Sequence, residues 1–287
     1  MSVGGSRRVG LIGWPVAHSL SPAMHNAAFK ALGLRFQYEL LPVPPGSLDA
    51  AMADLRAGEY AGANITVPHK SAVMSHLDGI DDAARSIGAV NTVVVRGEEL
   101  LGYNTDAPGL AGALDDAGLE LSGRRAIVLG AGGAARAVVY ALARAGCAVT
   151  IYNRTVMRAA SLADHVQKLG LSATAGWVPG EKALRALDLT RFALLVNATS
   201  VGMWPKADES PWPEDMPLPS HWAVLDLVYN PLQTRLLREA RQAGARTIDG
   251  LGMLVRQGEL AFELWTSCTP PAGLMRAAAL KALESDR

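Results

Sequence analysis

Residues 125–145 restrict the fold of this chain more than any other stretch. A short apolar run, Arg125–Leu129, leads into Gly130-Ala131-Gly132-Gly133-Ala134-Ala135 and then into a long helical stretch that reaches Ala145. Strand, glycine turn and helix in that order open a βαβ unit, whose strands must be parallel because the helix carries the chain back across the sheet. Gly130 permits the tight turn, Gly132 lets the backbone approach a ligand closely, and the small Ala135 lets the helix sit near its strand. Ala148–Tyr152 then reads as the second strand and Met157–Lys168 as the next helix, with later strands at Ala193–Asn197 and Ala223–Leu227.

A similar alternation precedes this unit. Val9–Gly13 reads as a buried strand; Ser21 reads as an N-cap with Pro22 at N1, and Gly33 closes the helix. Phe36–Leu41 is a strand, Leu48–Arg56 a helix and Ala63–Val67 a strand; Val90–Val95 and Leu100–Tyr103, joined by Arg96–Glu99, form an antiparallel hairpin. Pro68 suits the first residue of a further helix, which would put Lys70 in its first turn. A cation there opposes the positive end of the helix dipole, so something must hold it. Met203–Pro219 carries five prolines and reads as an ordered surface loop. Gly250 opens a last helical region whose stripe Leu251, Leu254, Val255, Phe262, Trp265 is core. The expected fold class is α/β with two α/β domains. Residues 1–106, completed by helices at 251–287, form one around a mostly parallel sheet, and 107–250 form a Rossmann domain.

Composition excludes several functions. At 287 residues, 49% hydrophobic and 19% charged, the chain is an ordinary globular protein with room for two cores. Lys+Arg and Asp+Glu both number 27, which leaves no electrostatic case for nucleic acid or a membrane surface as partner. No stretch approaches the length of a membrane span. Arg7-Arg8 followed by Val9–Gly13 resembles the start of a secretory signal, but Trp14-Pro15 cuts the apolar run short. Cys147 and Cys268 fit no metal or redox spacing and read as reduced thiols of a cytoplasmic protein. The six histidines lack metal-site spacing, so no metal is expected.

The glycine turn Gly130, Ala131, Gly132, Gly133, Ala134 offers backbone N–H groups at a helix N-terminus, which suits phosphates. An NAD site wants an acid at the end of the second strand, to accept from the ribose 2′-hydroxyl. Here that strand ends in Asn153-Arg154-Thr155, with Arg158 one turn later. Two guanidiniums and no carboxylate favour a 2′-phosphate and hence NADP(H). The plainer alternative leaves Arg154 and Arg158 as solvated helix-start residues.

In the first half, Ser19 and Ser21 place two hydroxyls beside a helix N-terminus, a means of holding a carboxylate without arginine. Ser21 as a simple N-cap is the alternative. Asn64 and Thr66 lie two apart and so share a face of a short strand. With Asn91 and Asn104-Thr105-Asp106 they would build a pocket for a small polyhydroxylated molecule around Lys70. Taken singly, Asn104 and Asp106 are turn formers.

These segments together resemble the shikimate dehydrogenase family over nearly the whole chain. The resemblance rests on His18-Ser19-Leu20-Ser21-Pro22 with His25-Asn26, Asn64–Lys70, Gly88–Thr92, Asn104–Asp106 and the glycine turn. Asn153–Thr155, Asn197–Met203, Asp226–Pro231 and Gly250–Gly258 extend it. It implies a two-domain oxidoreductase that reduces 3-dehydroshikimate to shikimate with NADPH, reversibly, in a cleft between the domains. It implies that Ser19 and Ser21 bind the ring carboxylate, and that Asn64, Thr66, Lys70, Asn91, Asp106, Tyr229 and Gln257 line the pocket. On the cofactor side it implies Thr199 and Ser200, with Leu227, Gly250 and Met253 near the nicotinamide. Helical spacing independently puts Met253 and Gln257 on one helix face. Ala107-Pro108-Gly109 departs from the family, which often has glycine directly after the aspartate.

Hydride arriving at a ketone carbon leaves negative charge on oxygen, and the Lys70 ammonium can stabilise that charge and donate its proton. Asp106 would orient Lys70 and accept from a ring hydroxyl; the two titrate together, so the proton's last carrier stays open. A quinate or dual quinate/shikimate enzyme, an aminoshikimate-type relative and a non-catalytic NADP-sensing protein are the alternatives. A monomer and a homodimer are equally compatible with the sequence.

Overall fold

Val9–Gly13 lies buried because β1 (Arg7–Gly13) has a parallel neighbour on each side, β2 (Phe36–Pro42) and β3 (Tyr60–Ile65). Strands flanked in this way show both faces to other elements and become apolar throughout. The computed structural model describes residues 7–171 and 175–285. Within them the chain forms two units: residues to Thr105 with those from Val255 onward, and Asp106–Leu254.

In the first unit β1 leads to α1 (Ser21–Ala31), and β2 to α2 (Leu48–Asp54), which runs on as a short π-helical turn at Leu55–Glu59. After β3 come β4 (Gly79–Ile80), α3 (Asp82–Ile87), β5 (Thr92–Arg96) and β6 (Glu99–Tyr103). Among the described residues the sheet has six strands in the order β2-β1-β3-β5-β6-β4. β5 pairs antiparallel with both β3 and β6, while β4 pairs parallel with β6. Because β5 runs against β3, its start lies beside the end of β3, with Asn64 directly opposite Thr92. One face packs Ile12, Ala63, Ile65, Val93 and Val95 on α2. Against α1 lie side chains of a later helix: Phe29 stacks on Phe262, and the Trp265 Nε1–H donates to Val93 O (3.0 Å).

The second unit begins with α4 (Asp106–Asp116) and continues β7 (Arg125–Leu129), α5 (Gly133–Arg144), β8 (Ala148–Tyr152), α6 (Val156–Gln167), β9 (Ala175–Trp177) and α7 (Glu181–Arg185). Then follow β10 (Leu194–Asn197), β11 (Ala223–Asp226), α8 (Arg235–Gln242) and β12 (Arg246–Ile248). α9 (Leu251–Thr266) starts in this unit and ends in the first, which α10 (Leu274–Ser285) completes. The six described strands are all parallel, in the order β12-β11-β10-β7-β8-β9. This is the doubly wound arrangement, with its switch point between β7 and β10. Alternation along β7 sends Ala126 and Val128 to one core with α5 and α6, and Ile127 and Leu129 to another with α8.

Several expectations need correction. Ser21 is the first residue of α1 and Leu20 its N-cap, without a side-chain cap bond. β3 ends at Ile65, so Thr66 lies just past the strand and not within it. Pro68 sits in a turn and the next helical residues are a short 3₁₀ segment at Ala72–His76, so Lys70 precedes any helix. The dipole argument for an unfavourable cation at that position therefore lapses. Leu254 is only partly buried, although the rest of its stripe is buried as expected. The proline-rich loop is ordered as expected: Trp212, Met216 and Leu218 enter the core, and Arg235 of α8 pairs with Glu214.

His25 of α1 is fully buried and stacked on Tyr38, ring centroids 4.5 Å apart. Among the described residues neither ring nitrogen has a hydrogen-bond partner, and burial pushes its pKa down to about 3. The unfolded chain takes up a proton near pH 6.5 that the folded chain refuses. Stability should therefore fall as pH drops from 6.5 toward 3, by about 1.4 kcal/mol per pH unit for this one group. His25→Phe should flatten that slope in denaturant titrations at about pH 4 to 7, whatever the larger ring costs at neutral pH. An unchanged slope would remove His25 from the acid response.

Candidate active site

Where β3 ends and β5 begins, the polar side chains of the first unit bond to one another. Tyr38 O–H donates to Asn64 Oδ1 (2.8 Å), and Asn64 Nδ2 donates to Asn91 O (3.2 Å) and Thr92 Oγ1 (3.1 Å). Asn91 Oδ1 accepts from the Thr105 backbone N–H (2.7 Å) and from Thr92 Oγ1 (3.2 Å). Asn91 Nδ2 donates to Thr105 Oγ1 (2.9 Å) and Gln257 Oε1 (3.4 Å). Every member is buried. A buried amide left without partners would cost about 1–3 kcal/mol, which is why these residues satisfy each other. Asn64 commits both amide hydrogens at 3.1–3.2 Å and so supports the site; Asn91 commits its own to Thr105 and, at 3.4 Å, to Gln257, the longest of these bonds and the one a ligand hydroxyl could displace.

Lys70 is anchored beside this network by its backbone, whose carbonyl accepts from Val90 N–H (2.8 Å), the residue before Asn91. Its neighbour His69 is buried, with Nε2 at 2.7 Å from Val43 O. Thr66 N–H continues the ladder to Ile12 O (2.8 Å). Gly13 is required next to it, since a Cβ there would lie 2.2 Å from the Thr66 methyl. Ser19 and Ser21 are joined, Ser19 O–H donating to Ser21 Oγ (3.2 Å) while Ser19 Oγ accepts from Ser21 N–H (3.2 Å). This leaves the Ser21 hydroxyl proton to point elsewhere. The first unit thus gathers Asn64, Asn91 and Gln257 into one network, with Lys70 docked on its edge.

In the second unit the turn after β7 abuts the turn after β10, at the switch point where doubly wound sheets bind ligands. Gly130 has φ +111°, and a Cβ there would come within 3.0 Å of Ala198 O. A Cβ on Gly132 would meet nothing within 4 Å, and α5 begins without a side-chain cap bond. Open space over an uncapped helix N-terminus fits the phosphates of a dinucleotide. After β8, Asn153 Nδ2 donates to Thr155 O (2.9 Å), shaping the turn, while Arg154, Thr155 and Arg158 are exposed.

Asp226, at the end of β11, opens the Asp226–Pro231 segment but has no role in the expected site. Its Oδ1 accepts from Asn197 Nδ2 (2.8 Å) and Val228 N–H (3.0 Å), and its Oδ2 from Thr234 O–H (2.7 Å). Burial raises its pKa to about 6, opposed by those three donors. Asn197 Oδ1 in turn accepts from Thr199 N–H (3.0 Å) and O–H (2.7 Å). One carboxylate thus ties the Thr199–Ser200 turn to the Leu227–Tyr229 segment. Gly250 packs against that segment, where a Cβ would lie 2.4 Å from Leu227 O, and Met253 is buried in the core. Tyr229 and Asp106 also belong to this unit, Asp106 buried as the first residue of α4. Thr92 is a further participant without an expected role, while Thr105 joins Asn91 as the expected pocket has it; the repeated Asn-Thr pair, at 91–92 and 104–105, is the signal that marks both.

Among the described residues no helix is long and apolar enough to cross a membrane, and no group of acidic, histidine or cysteine side chains could hold a metal. Cys147 is buried and its thiol is pushed up to about 11, which keeps it protonated and inert. Gly130→Ala should lower stability by about 1–3 kcal/mol through backbone strain and the contact with Ala198. Gly132→Ala should cost under about 1 kcal/mol. Chemical denaturation of the ligand-free protein checks both; equal losses would contradict the geometry of the turn.

Residues 11–93 match the family described as shikimate dehydrogenase substrate binding domain, 113–175 that of shikimate / quinate 5-dehydrogenase, and 250–280 the shikimate 5'-dehydrogenase C-terminal domain. The shikimate dehydrogenase (NADP(+)) of Moorella thermoacetica is 49% identical over 268 residues, 93% of this chain and 90% of that one. Its counterpart from Symbiobacterium thermophilum is 49% identical over 285 residues, 99% of this chain and 97% of that one. The crystal structure of shikimate 5-dehydrogenase from Thermus thermophilus, in complex with NADP(H) and shikimate, superposes with a TM-score of 0.85 at 44% identity, covering 96% of this chain and 99% of the other. This chain belongs to the shikimate dehydrogenase family.

Proposed function

We propose that the protein is an NADP-dependent shikimate dehydrogenase, which reduces 3-dehydroshikimate to shikimate, reversibly, in aromatic amino-acid biosynthesis. The observation that carries this reading is the buried network of Asn91, Thr92, Thr105 and Gln257 with Lys70 docked at its edge. It offers amide and hydroxyl groups of fixed orientation, suited to ring hydroxyls, next to the cationic side chain of Lys70. The relatives are named for the same activity, and the Thermus enzyme was solved with both ligands.

NADPH, when bound, supplies the hydride that ends on the ketone carbon. All other tasks fall to side chains of this chain. Ser19 and Ser21 receive the ring carboxylate, the Ser21 hydroxyl donating to it while Ser19 holds Ser21 in place. Thr66, Asn91, Gln257 and Tyr229 take the ring hydroxyls, and Asp106 accepts from one of them. The Lys70 ammonium stabilises the nascent alkoxide and gives it a proton; in the oxidation direction the neutral amine takes that proton back. Backbone N–H groups at Gly132, Gly133 and Ala134 hold the pyrophosphate. Arg154 and Arg158, helped by Asn153 and Thr155, hold the 2′-phosphate, while Thr199, Ser200, Leu227, Gly250 and Met253 surround the nicotinamide.

The test is an absorbance assay at the NADPH band with shikimate or quinate, each against NADP and NAD. Shikimate with NADP should be turned over most efficiently. Preference for quinate would reassign the substrate, and nucleotide binding without any oxidation would make the chain a sensor. Lys70→Ala should lower kcat by about 10²–10⁴, the range for losing an acid–base group, with KM for NADP nearly unchanged. Full turnover at saturating shikimate would remove Lys70 from the chemistry. Arg154→Ala should raise KM for NADP at least about tenfold while leaving KM for NAD within about twofold, because only NADP carries the 2′-phosphate. Equal losses would contradict the clamp.

A further inference from the structure

The pair His25-Asn26 has no part in the chemistry above, yet both side chains converge on one residue. Asn26 grips the backbone of Tyr38 from both sides: its Nδ2 donates to Tyr38 O (3.0 Å) and its Oδ1 accepts from Tyr38 N–H (2.8 Å). His25 lies flat on the Tyr38 ring, 4° from parallel, and Trp265 packs on the same ring at 6.1 Å. Leaving both His25 nitrogens without partners among the described residues is costly, so the flat contact itself must be what the position requires. Tyr38 is 2% exposed, and its hydroxyl donates to Asn64 Oδ1.

The direction of that bond is fixed. Asn91 O is a carbonyl and only accepts, so the Asn64 atom facing it is the Nδ2 donor and the atom facing Tyr38 is the oxygen. Asn64 then donates to Thr92 Oγ1, which passes its own proton to Asn91 Oδ1. A one-way series of bonds therefore runs from Tyr38 through Asn64 and Thr92 to Asn91. We propose that Tyr38, clamped by His25 and Asn26, is a positioning residue for substrate binding: its hydroxyl fixes the Asn64 amide and, through Asn64 and Thr92, the Asn91 side chain that receives a ring hydroxyl. The inference rests on the assignment of Asn91 to the substrate.

Tyr38→Phe deletes the hydroxyl and keeps the stacked ring. It should raise KM for shikimate about threefold to tenfold, leave kcat and KM for NADP within about twofold, and leave the folded protein intact by circular dichroism. Thr92→Val should give a similar rise, and the double variant should be no worse than the worse single one, because both act on one series of bonds. An unchanged KM for shikimate, an equal rise in KM for NADP, or additive effects in the double variant would each overturn the proposal. The side-chain amide resonance of Asn64 gives a readout free of activity. It should be sharp and protected from exchange in the unaltered protein, and exchange rapidly in Tyr38→Phe; equal protection in both would also overturn it. An unaltered protein that ignores shikimate would overturn the functional reading instead, while the Asn64 resonance still decides the role of Tyr38.

Discussion

A polar group buried at the end of a strand must find a partner inside the protein or be left exposed to its own desolvation cost. Much of this molecule follows from that requirement at the strand ends of its two sheets. In the first unit the requirement is met by neutral side chains together with two backbone groups: Tyr38, Asn64, Thr92, Asn91, Thr105 and Gln257 bond to one another, to Asn91 O and to Thr105 N–H. The side chains named in the network are all neutral, and Lys70 is docked beside them through its backbone carbonyl. Its ammonium is the charge proposed to meet the one that develops on a substrate.

The second unit solves the same problem with one carboxylate. Asp226 is buried, accepts from three donors, and so is caught between desolvation and hydrogen bonding. Its raised pKa reflects that balance, and its ionised form is the one that matches three converging donors. The geometry it holds is useful: the turn after β10 and the segment after β11 are set at a fixed spacing beside a glycine turn in which a side chain at Gly130 would be strained. Rigid turns around an open helix N-terminus are what a phosphate-bearing cofactor needs, since nothing must reorganise when it binds.

Legibility in the sequence follows burial and length. β7 and β8 are readable residue for residue: β7 is an apolar run after Arg125 closed by glycine, and β8, interrupted only by Thr150, is rich in strand-forming residues and closed by a polar turn. Helix α1 is displaced by one residue, as Ser21 looks like a cap but its side chain turns to Ser19 instead. β4, β9 and β12, of two or three residues, are too short to carry a period. Pro68 signals a helix start but stands in a turn, since a proline that suits N1 suits a turn equally well. Candidate site residues show where polar side chains interrupt apolar segments; Asn64 is found in that way, yet its supporting role emerges only once its partners are known. Tyr38 carries no local signal, being an aromatic in an ordinary strand, and Asp226, although it opens one of the segments that carry the resemblance, gives no sign of the partners it holds.

The central claim is that a network of neutral side chains orients the ring while the Lys70 ammonium meets the reacting oxygen. A crystal structure of the protein with shikimate and NADP bound tests it most directly. The account predicts Lys70 Nζ within about 2.6–3.2 Å of the oxygen on the carbon that exchanges hydride, the reach needed for proton transfer. A Lys70 side chain extended into solvent, with that oxygen held by another group, would contradict it.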